Sequence, residues 1–374
     1  MVSNYFHRGN LSTRDKILSL DYFLIFLILL LGVISFFAMY STEQGKFGYY
    51  TQNHIYRFFA FFIIFLLVSF IQVSFWHKTA YFFYAVVLLL LIAVDLYGIT
   101  ASGSKRWISL FFINLQPSEL MKIAIIVCFS KYYHRMQVSN VNKLKNILIP
   151  LVILFIPIAL VVSQPDLGTA ILIALSGLIV LWLAGVNAKY FFYSGLLFII
   201  SAPFVISFLK PYQKLRILTF FDPDKDPLGA GYQIIQSKIA VGSGGLTGKG
   251  FLKGTQGYLE FLPEKHTDFI FTLYSEEFGF LGSIFLLLVY AILILRIIRT
   301  GSLSRSFFGK FFCYGFGSAI FIYITVNMAM VLGLLPIVGS PLPIMSYGGS
   351  SMLATMIGLA IVMSTKIYSR QQIS

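Results

Sequence analysis

The amino-acid sequence predicts an all-α polytopic integral membrane protein with about ten transmembrane helices. Three observations predict it. Of the 374 residues, 58% are hydrophobic and only 11% are charged, at a mean hydropathy of +0.84, whereas an ordinary soluble domain carries about 25% charged residues. Apolar runs of about 17 to 25 residues recur along the whole length, each long enough to cross roughly 30 Å of hydrocarbon as a helix. The basic residues sit in alternate connecting segments, which is the signature of a fixed orientation in a bilayer.

The spans are read at 20–41, 56–75, 79–98, 117–134, 147–163, 168–186, 189–208, 268–297, 308–335 and 349–367. The first lies behind a polar, basic stretch and lacks a small-residue cleavage site, so a retained span is expected, not a removed signal peptide. The fourth opens on Gln116-Pro117-Ser118-Glu119 and the sixth on Gln164-Pro165-Asp166-Leu167. In both, a proline stands where a first helical turn tolerates it and an acid follows where the helix dipole favours negative charge. The eighth follows Thr267, a residue suited to cap it, which puts Asp268 in its first turn. There the dipole and free N–H groups are expected to favour the ionised carboxylate.

With ten spans and both termini cytoplasmic, the inner segments hold most of the cations, among them Arg14, Lys16, Lys78, Lys131, Arg135, Lys143, Lys145, Lys189, Arg296, Arg299, Arg305, Lys310, Lys366 and Arg370. The short outer loops hold Lys46, Arg57, Lys105 and Arg106. The net charge of +14 is thus topological and not the footprint of a nucleic-acid partner, whose basic residues would gather on one face. The chain reads as one domain, 1–374, with a large extracytoplasmic loop at 209–267 between spans seven and eight. A connection of that length is expected to be a partly ordered lid or binding surface. Within it, Tyr232 to Ala240 carries apolar residues at helical spacing, a short amphipathic helix in the interface. Gly-rich turns flank this segment, but no Gly-x4-Gly-Lys-[Ser/Thr] lies between a strand and a helix, which excludes a Walker-type nucleotide loop. Cys128 and Cys313 fall inside predicted helices as small buried hydrophobes, too few for a metal-ligand set.

Of the fourteen acids, all but Asp15 and Asp21 lie outside the inner segments. Three are singled out. Glu119 and Lys122 are three apart on one helix and can pair, either to fix helix packing or as the floor of a polar cavity. Asp166 reads equally as a helix cap and as a site carboxylate. Asp268, at the lip of a span, suits a general base that takes a proton from a bound hydroxyl. Lys265 and His266 place cationic groups beside it, and Glu276 and Glu277, two turns deeper, suit either interhelical hydrogen bonds or catalysis. Lys105, Arg106, Lys210, Lys214 and Arg216 either snorkel to lipid headgroups or, gathered round the cleft, hold a pyrophosphate. Backbone N–H groups of Ser346 to Ser351 at a helix start can line the same anion site.

Together, Lys105-Arg106-Trp107, Gln116 to Glu119 with Lys122, Gln164 to Thr169, Gly242 to Gly245, Leu262 to Ile270 and Ser346 to Ser351 resemble the SEDS family of membrane proteins, named for shape, elongation, division and sporulation. The match spans nearly the whole chain. The strings Gly231 to Ala240 and Leu335 to Gly339 look more like the elongation branch than the division branch. The resemblance implies a peptidoglycan glycosyltransferase of the bacterial cytoplasmic (inner) membrane that polymerises lipid II for cell elongation and rod shape. It implies Asp268 as the essential carboxylate and Glu119 and Lys122 as the family's intramembrane pair. It further implies a class B penicillin-binding transpeptidase and other elongation-complex proteins as partners. From this reading Asp268 is the expected catalytic residue. Lys105, Arg106, Glu119, Lys122, Asp166, Arg216, Lys265, His266 and Ser346 are the expected substrate-binding set. A divalent cation, Mg²⁺ or Mn²⁺, is left open, because scattered carboxylates do not establish a coordination sphere. The rival readings are a lipid II flippase, which suits many spans with internal charges, and a noncatalytic scaffold for the transpeptidase.

Overall fold

Every apolar run carries a helix. The computed structural model describes residues 12–101, 104–110, 113–208, 211–223, 229–255 and 264–373. After the short α1 (Thr13–Leu18) come α2 (Tyr22–Thr42), α3 (Tyr49–Ser69), α4 (Val73–Tyr97), α5 (Pro117–Tyr132), the single-turn α6 (Val138–Val141), α7 (Leu144–Ser163), α8 (Leu167–Leu183) and α9 (Ala188–Phe208). Within the large loop lie α10 (Pro211–Phe221) and α11 (Ala230–Ser243); α12 (Ile270–Leu303), α13 (Phe307–Val331) and α14 (Gly349–Ile367) complete the chain. Seven of these, α2, α3, α4, α7, α12, α13 and α14, are long and apolar enough to cross a membrane. The fourth predicted span is the 16-residue α5, which buries Glu119 and Lys122, and the sixth and seventh are helices with shorter apolar stretches.

Side-chain and backbone bonds sort the helix ends into two groups. At one end Asp21 pairs with Arg296 (2.7 Å), Tyr368 donates to the Phe70 carbonyl (2.9 Å), Arg135 donates to the Ile373 carbonyl (2.9 Å) and Asn142 bonds Gly185 (3.2 Å). At the other end Glu43 accepts from the α3 backbone at Thr51 (2.7 Å), Ser350 accepts from Gln116 N–H (2.8 Å) and Arg106 meets Asp166 (3.5 Å). The chain therefore runs back and forth between two ends, and the cations assigned to inner segments collect at the first.

The second end holds features that hydropathy did not predict. Residues 99–115 form a small antiparallel sheet, β1 (Ile99–Ala101), β2 (Ser104–Leu110) and β3 (Ile113–Leu115), in that order, with Thr100 opposite Lys105 and Ser109 opposite Asn114. Because side chains alternate along a strand, neighbours Lys105 and Arg106 go opposite ways. Lys105 Nζ donates to the last carbonyls of α4, Asp95 (2.8 Å) and Leu96 (3.1 Å), while Arg106 turns to the start of α8. The expected amphipathic helix is present as α11. Its Ile234, Ser237 and Ala240 are buried, and Ser237 donates to the Val331 carbonyl (2.8 Å), so its inner face rests on protein.

The eighth span departs from expectation in two ways. Its helix starts at Ile270 with Phe269 in the cap position, and it is broken at Gly279 (φ 65, ψ −161). The break is knitted by the Gly-rich turn of the large loop. Lys249 and Gly250 N–H donate to the Glu276 and Glu277 carbonyls (both 3.0 Å), while Phe280 and Leu281 N–H donate to the Gly245 (2.9 Å) and Leu246 (3.1 Å) carbonyls. The orphan carbonyls of the first segment and the orphan N–H groups of the second are thereby both satisfied. Such an approach needs glycine: a Cβ on Gly279 would collide with Gly248 N, and one on Gly248 (φ +82) with the Glu277 carbonyl.

Gly248→Ala is accordingly expected to cost about 1–3 kcal/mol of local strain and to lower the melting temperature of the detergent-solubilised protein. Gly245→Ala (φ +55) adds a Cβ with no atom within 4 Å and should shift it less. Equal melting temperatures for the two variants would contradict the docking described.

Candidate active site

Asp268 lies in a turn that precedes α12, outside the membrane-spanning helix. Glu264 closes that turn, its carbonyl accepting from Thr267 N–H (3.2 Å) and Phe269 N–H (3.3 Å). Thr267 does not cap α12 as expected; its hydroxyl donates to the Glu264 carboxylate (2.8 Å). Among the described residues the Asp268 carboxylate holds no hydrogen bond or ion pair, and its backbone carbonyl accepts from Asn327 Nδ2 (2.9 Å). Burial pushes its pKa up to about 7, with Glu264, Asp166 and Glu119 raising it further and Arg216 opposing them. The expected preference for the ionised form is therefore corrected: loss of hydration outweighs the dipole of a helix that starts two residues later. A carboxyl poised near neutrality is suited to accept a proton.

The same electrostatic neighbourhood gathers residues from four other elements. Asp166 caps α8, accepting from Thr169 N–H (3.1 Å) and Thr169 hydroxyl (2.9 Å), and it is also held by Gln116 (3.3 Å) and Arg106 (3.5 Å). Cap and charge cluster are one residue here. Arg106 also donates to the Pro165 carbonyl (2.9 Å), and Arg216 on α10 donates to the Ile337 carbonyl (3.2 Å). Lys105 is separated from this group at the end of α4. Lys210 lies outside the described residues, and Lys214 donates to the Ser207 carbonyl (2.9 Å).

Lys265 is buried, and His266 is set in an aromatic cluster. Its ring stacks on Tyr50 (3.9 Å between centroids), shares a hydrogen bond with Thr42 (2.8 Å), and its carbonyl accepts from Tyr347 N–H (2.8 Å). Burial first, then the Lys265 charge, lowers its pKa to about 4, so it is neutral at physiological pH and supplies no cation. Arg57 covers the face of Tyr347 (4.6 Å) beside the start of α14. Ser346 turns inward, its hydroxyl oxygen accepting from Leu342 N–H (2.7 Å), which closes a tight turn.

Deeper in the bundle, Glu119 and Lys122 form a buried ion pair at 2.7 Å, with the ammonium over the Tyr323 ring (4.2 Å). They border a small cavity that Tyr323, Ser351 and Thr355 line together with Ile123, Ile126 and Phe316, so its wall is chiefly apolar. The two groups pair as their spacing allows, and the polar cavity floor that the sequence offered as the other reading is not what surrounds them. Glu276 and Glu277 are drawn elsewhere. Glu276 accepts from Lys249 (2.6 Å) and from Thr255 N–H (2.9 Å), and Glu277 accepts from Ser41 of α2 and from the backbone of Leu252 and Gly254, so both anchor the large loop. No group of three or more His, Cys, Asp or Glu gathers as a metal site among the described residues.

Sequence reasoning passed over the Tyr50–His266–Tyr347–Arg57 cluster and Asn327. Asn327 carried a signal, an amide inside an apolar span. The aromatic cluster carried none, because its members are ordinary interface residues until the fold joins them.

Fold and site define a multi-pass membrane protein in which Asp166, Arg106 and Arg216 lie at one end of a helical bundle near an Asp268 carboxylate that is unpaired among the described residues. The family model for FTSW_RODA_SPOVE, cell cycle protein, matches residues 18–371, and the chain belongs to that family. It is 41% identical over 351 residues to the peptidoglycan glycosyltransferase MrdB of Escherichia coli (strain K12), covering 94% of each chain. A solved chain from a peptidoglycan synthase complex that coordinates polymerization and crosslinking superposes with a TM-score of 0.81 at 28% identity, over 94% of this chain and 99% of that one. The rod shape determining protein RodA of Thermus thermophilus shares the fold, with a TM-score of 0.69 at 24% identity over 94% and 98% of the two chains.

If Glu276 anchors the loop, Glu276→Ala leaves Lys249 and Thr255 without their acceptor, at a cost of about 1–3 kcal/mol. Trypsin should then cut after Lys249 several-fold faster than in the parent protein. An unchanged cleavage rate would contradict the anchoring role.

Proposed function

We infer that this chain is a peptidoglycan glycosyltransferase that polymerises lipid II at the outer face of the bacterial cytoplasmic membrane during elongation. Family membership and the likeness to MrdB over 94% of each chain support the activity. The observation that carries the residue assignment is the Asp268 carboxylate: partly buried, unpaired among the described residues, and raised to about 7. Asp268 removes the proton from the 4-hydroxyl of the acceptor GlcNAc as that oxygen attacks the anomeric carbon of the donor MurNAc. Undecaprenyl pyrophosphate leaves with inversion. Arg106 and Arg216 stand nearest in role to the departing phosphates, with Lys265 in support. Asp166 orients Arg106 through their contact and through the start of α8. Glu119 and Lys122 wall the cavity below. A lone base contributes roughly 10²- to 10⁴-fold, and positioning and charge stabilisation supply the remainder.

In this reading all ten helices α2–α5, α7–α9 and α12–α14 span the membrane. Both termini and the basic helix ends are cytoplasmic, in accord with the positive-inside rule. The sheet, α10 and α11 form the outer surface. The synthase complex that the chain resembles supports a class B transpeptidase as partner, along with other elongation-complex proteins. For a divalent cation, Mg²⁺ is commonly held by one or two carboxylates plus substrate phosphates. Glu264, whose side chain is exposed, would be the carboxylate to hold it beside the substrate phosphates, leaving Asp268 free as the base.

Asp268→Asn should fold, insert and bind lipid II yet make no glycan in a purified assay with lipid II on the accessible face; retained polymerisation removes Asp268 from the mechanism. In the parent enzyme the base works only when ionised. The rate should therefore fall as pH drops through about 7, approaching tenfold per pH unit below it. A rate that holds down to about pH 5 would contradict the raised carboxyl. EDTA should slow synthesis and Mg²⁺ restore it, and indifference to EDTA removes the cation.

A further inference from the structure

Asn327 is an amide near the C-terminal end of the apolar helix α13, and its side chain is fully buried. Its two N–H bonds are both used. Nδ2 donates to the Asp268 carbonyl (2.9 Å) and to the Ser340 carbonyl (2.7 Å). Two carbonyl acceptors fix which end of the amide faces them, since an oxygen there would meet oxygens. The other end is left over: among the described residues Asn327 Oδ1 is buried without a partner, as is the Ser340 hydroxyl. A buried acceptor without a donor is destabilising. Packing alone would favour an apolar side chain of the same shape at this position.

What the amide holds explains the cost. Its two acceptors belong to segments without regular structure, the turn that carries Asp268 and the strand-like run into which Gly339 leads. Gly339 has φ +73, and a Cβ on it would stand 3.4 Å from Asp268 Oδ2. The Asp268 side chain thus lies against the backbone of the very segment that Asn327 ties down. Neither segment is fixed here by a helix or a sheet; the amide ties them at Asp268 itself, and the Tyr347 N–H to His266 carbonyl bond (2.8 Å) joins them two residues away.

We propose that Asn327 is the positioning residue for Asp268, clamping its backbone to that of Ser340 so that the carboxylate is held over Gly339. The inference rests on the reading of Asp268 as the base. A misplacement of about 1 Å in a catalytic group costs on the order of 10²-fold, which sets the size of the effect.

The test measures lipid II polymerisation by the full-length protein for Asn327→Ala, Asn327→Ser and Asp268→Asn, each first shown to be monodisperse with a cooperative melt. Asn327→Ala is expected to lower kcat about 10- to 100-fold with KM for lipid II within about threefold. Asn327→Ser, which keeps one donor, should recover part of the loss. A folded Asn327→Ala with parental kcat overturns the proposal, as does a loss that merely follows the folded fraction. So does failure of both Asn327 variants to fold, since the role would then be structural. The two readings fail separately: activity in Asp268→Asn sinks the base, whereas an inactive Asp268→Asn with a fully active Asn327→Ala sinks the clamp alone.

Discussion

Backbone that leaves a helix inside a membrane-embedded bundle has no water to turn to, so every freed N–H and C=O needs a protein partner. Much of the candidate site follows from that constraint. At Gly279 the helix breaks, and the Gly-rich turn of the large loop supplies donors to one side of the break and acceptors to the other. In the run between α13 and α14, Tyr290 donates to the Pro343 carbonyl (2.6 Å), Ser35 to the Ile344 (3.2 Å) and Met345 (3.1 Å) carbonyls, and Asn327 to the Ser340 carbonyl (2.7 Å). Side chains from three helices, α2, α12 and α13, thereby hold the loop. Ile344 is even kept at φ 66, a backbone state that a β-branched residue avoids.

These satisfied irregular segments give the carboxylate its character. Asp268 is carried by a turn whose own polar groups are spent on Glu264, Asn327 and Tyr347, and nothing among the described residues is left for its side chain. An aspartate in such a place loses hydration without gaining a salt bridge, and its affinity for a proton rises. Asp166 shows the opposite arrangement a short way off, its oxygens occupied by Thr169, Gln116 and Arg106. Two acids at one end of the bundle thus differ in their partners, Asp166 being held on several sides and Asp268 by none among the described residues.

How much was legible in the sequence follows from the range of each interaction. Hydropathy over long windows located the helices, and alternating basic loops agreed with the sorting of helix ends. The helical spacing of Tyr232 to Ala240 announced α11. What the windows missed was short or nonlocal. One seven-residue strand between two of three residues leaves little periodic signal between two apolar runs, so the sheet that parts Lys105 from Arg106 went unseen. The break at Gly279 depends on Gly248, some thirty positions earlier, and the fate of Glu276 and Glu277 depends on Lys249 and Ser41. Thr267 had the chemistry of a cap but spends its hydroxyl on Glu264, so a local rule gave way to a closer acceptor. The resemblance named the acidic and basic residues as a group, and their separation into cap, anchor and free carboxylate needed the fold.

The account turns on a single carboxyl group that stays unpaired and poorly hydrated. Infrared difference spectra of the membrane-reconstituted protein, taken across pH for parent and Asp268→Asn, report that group directly. A carboxyl band converting to carboxylate near pH 7 in the parent and absent from the variant is the expected result. Conversion near the ordinary aspartate value of about 4 would show a hydrated or paired Asp268 and contradict the account.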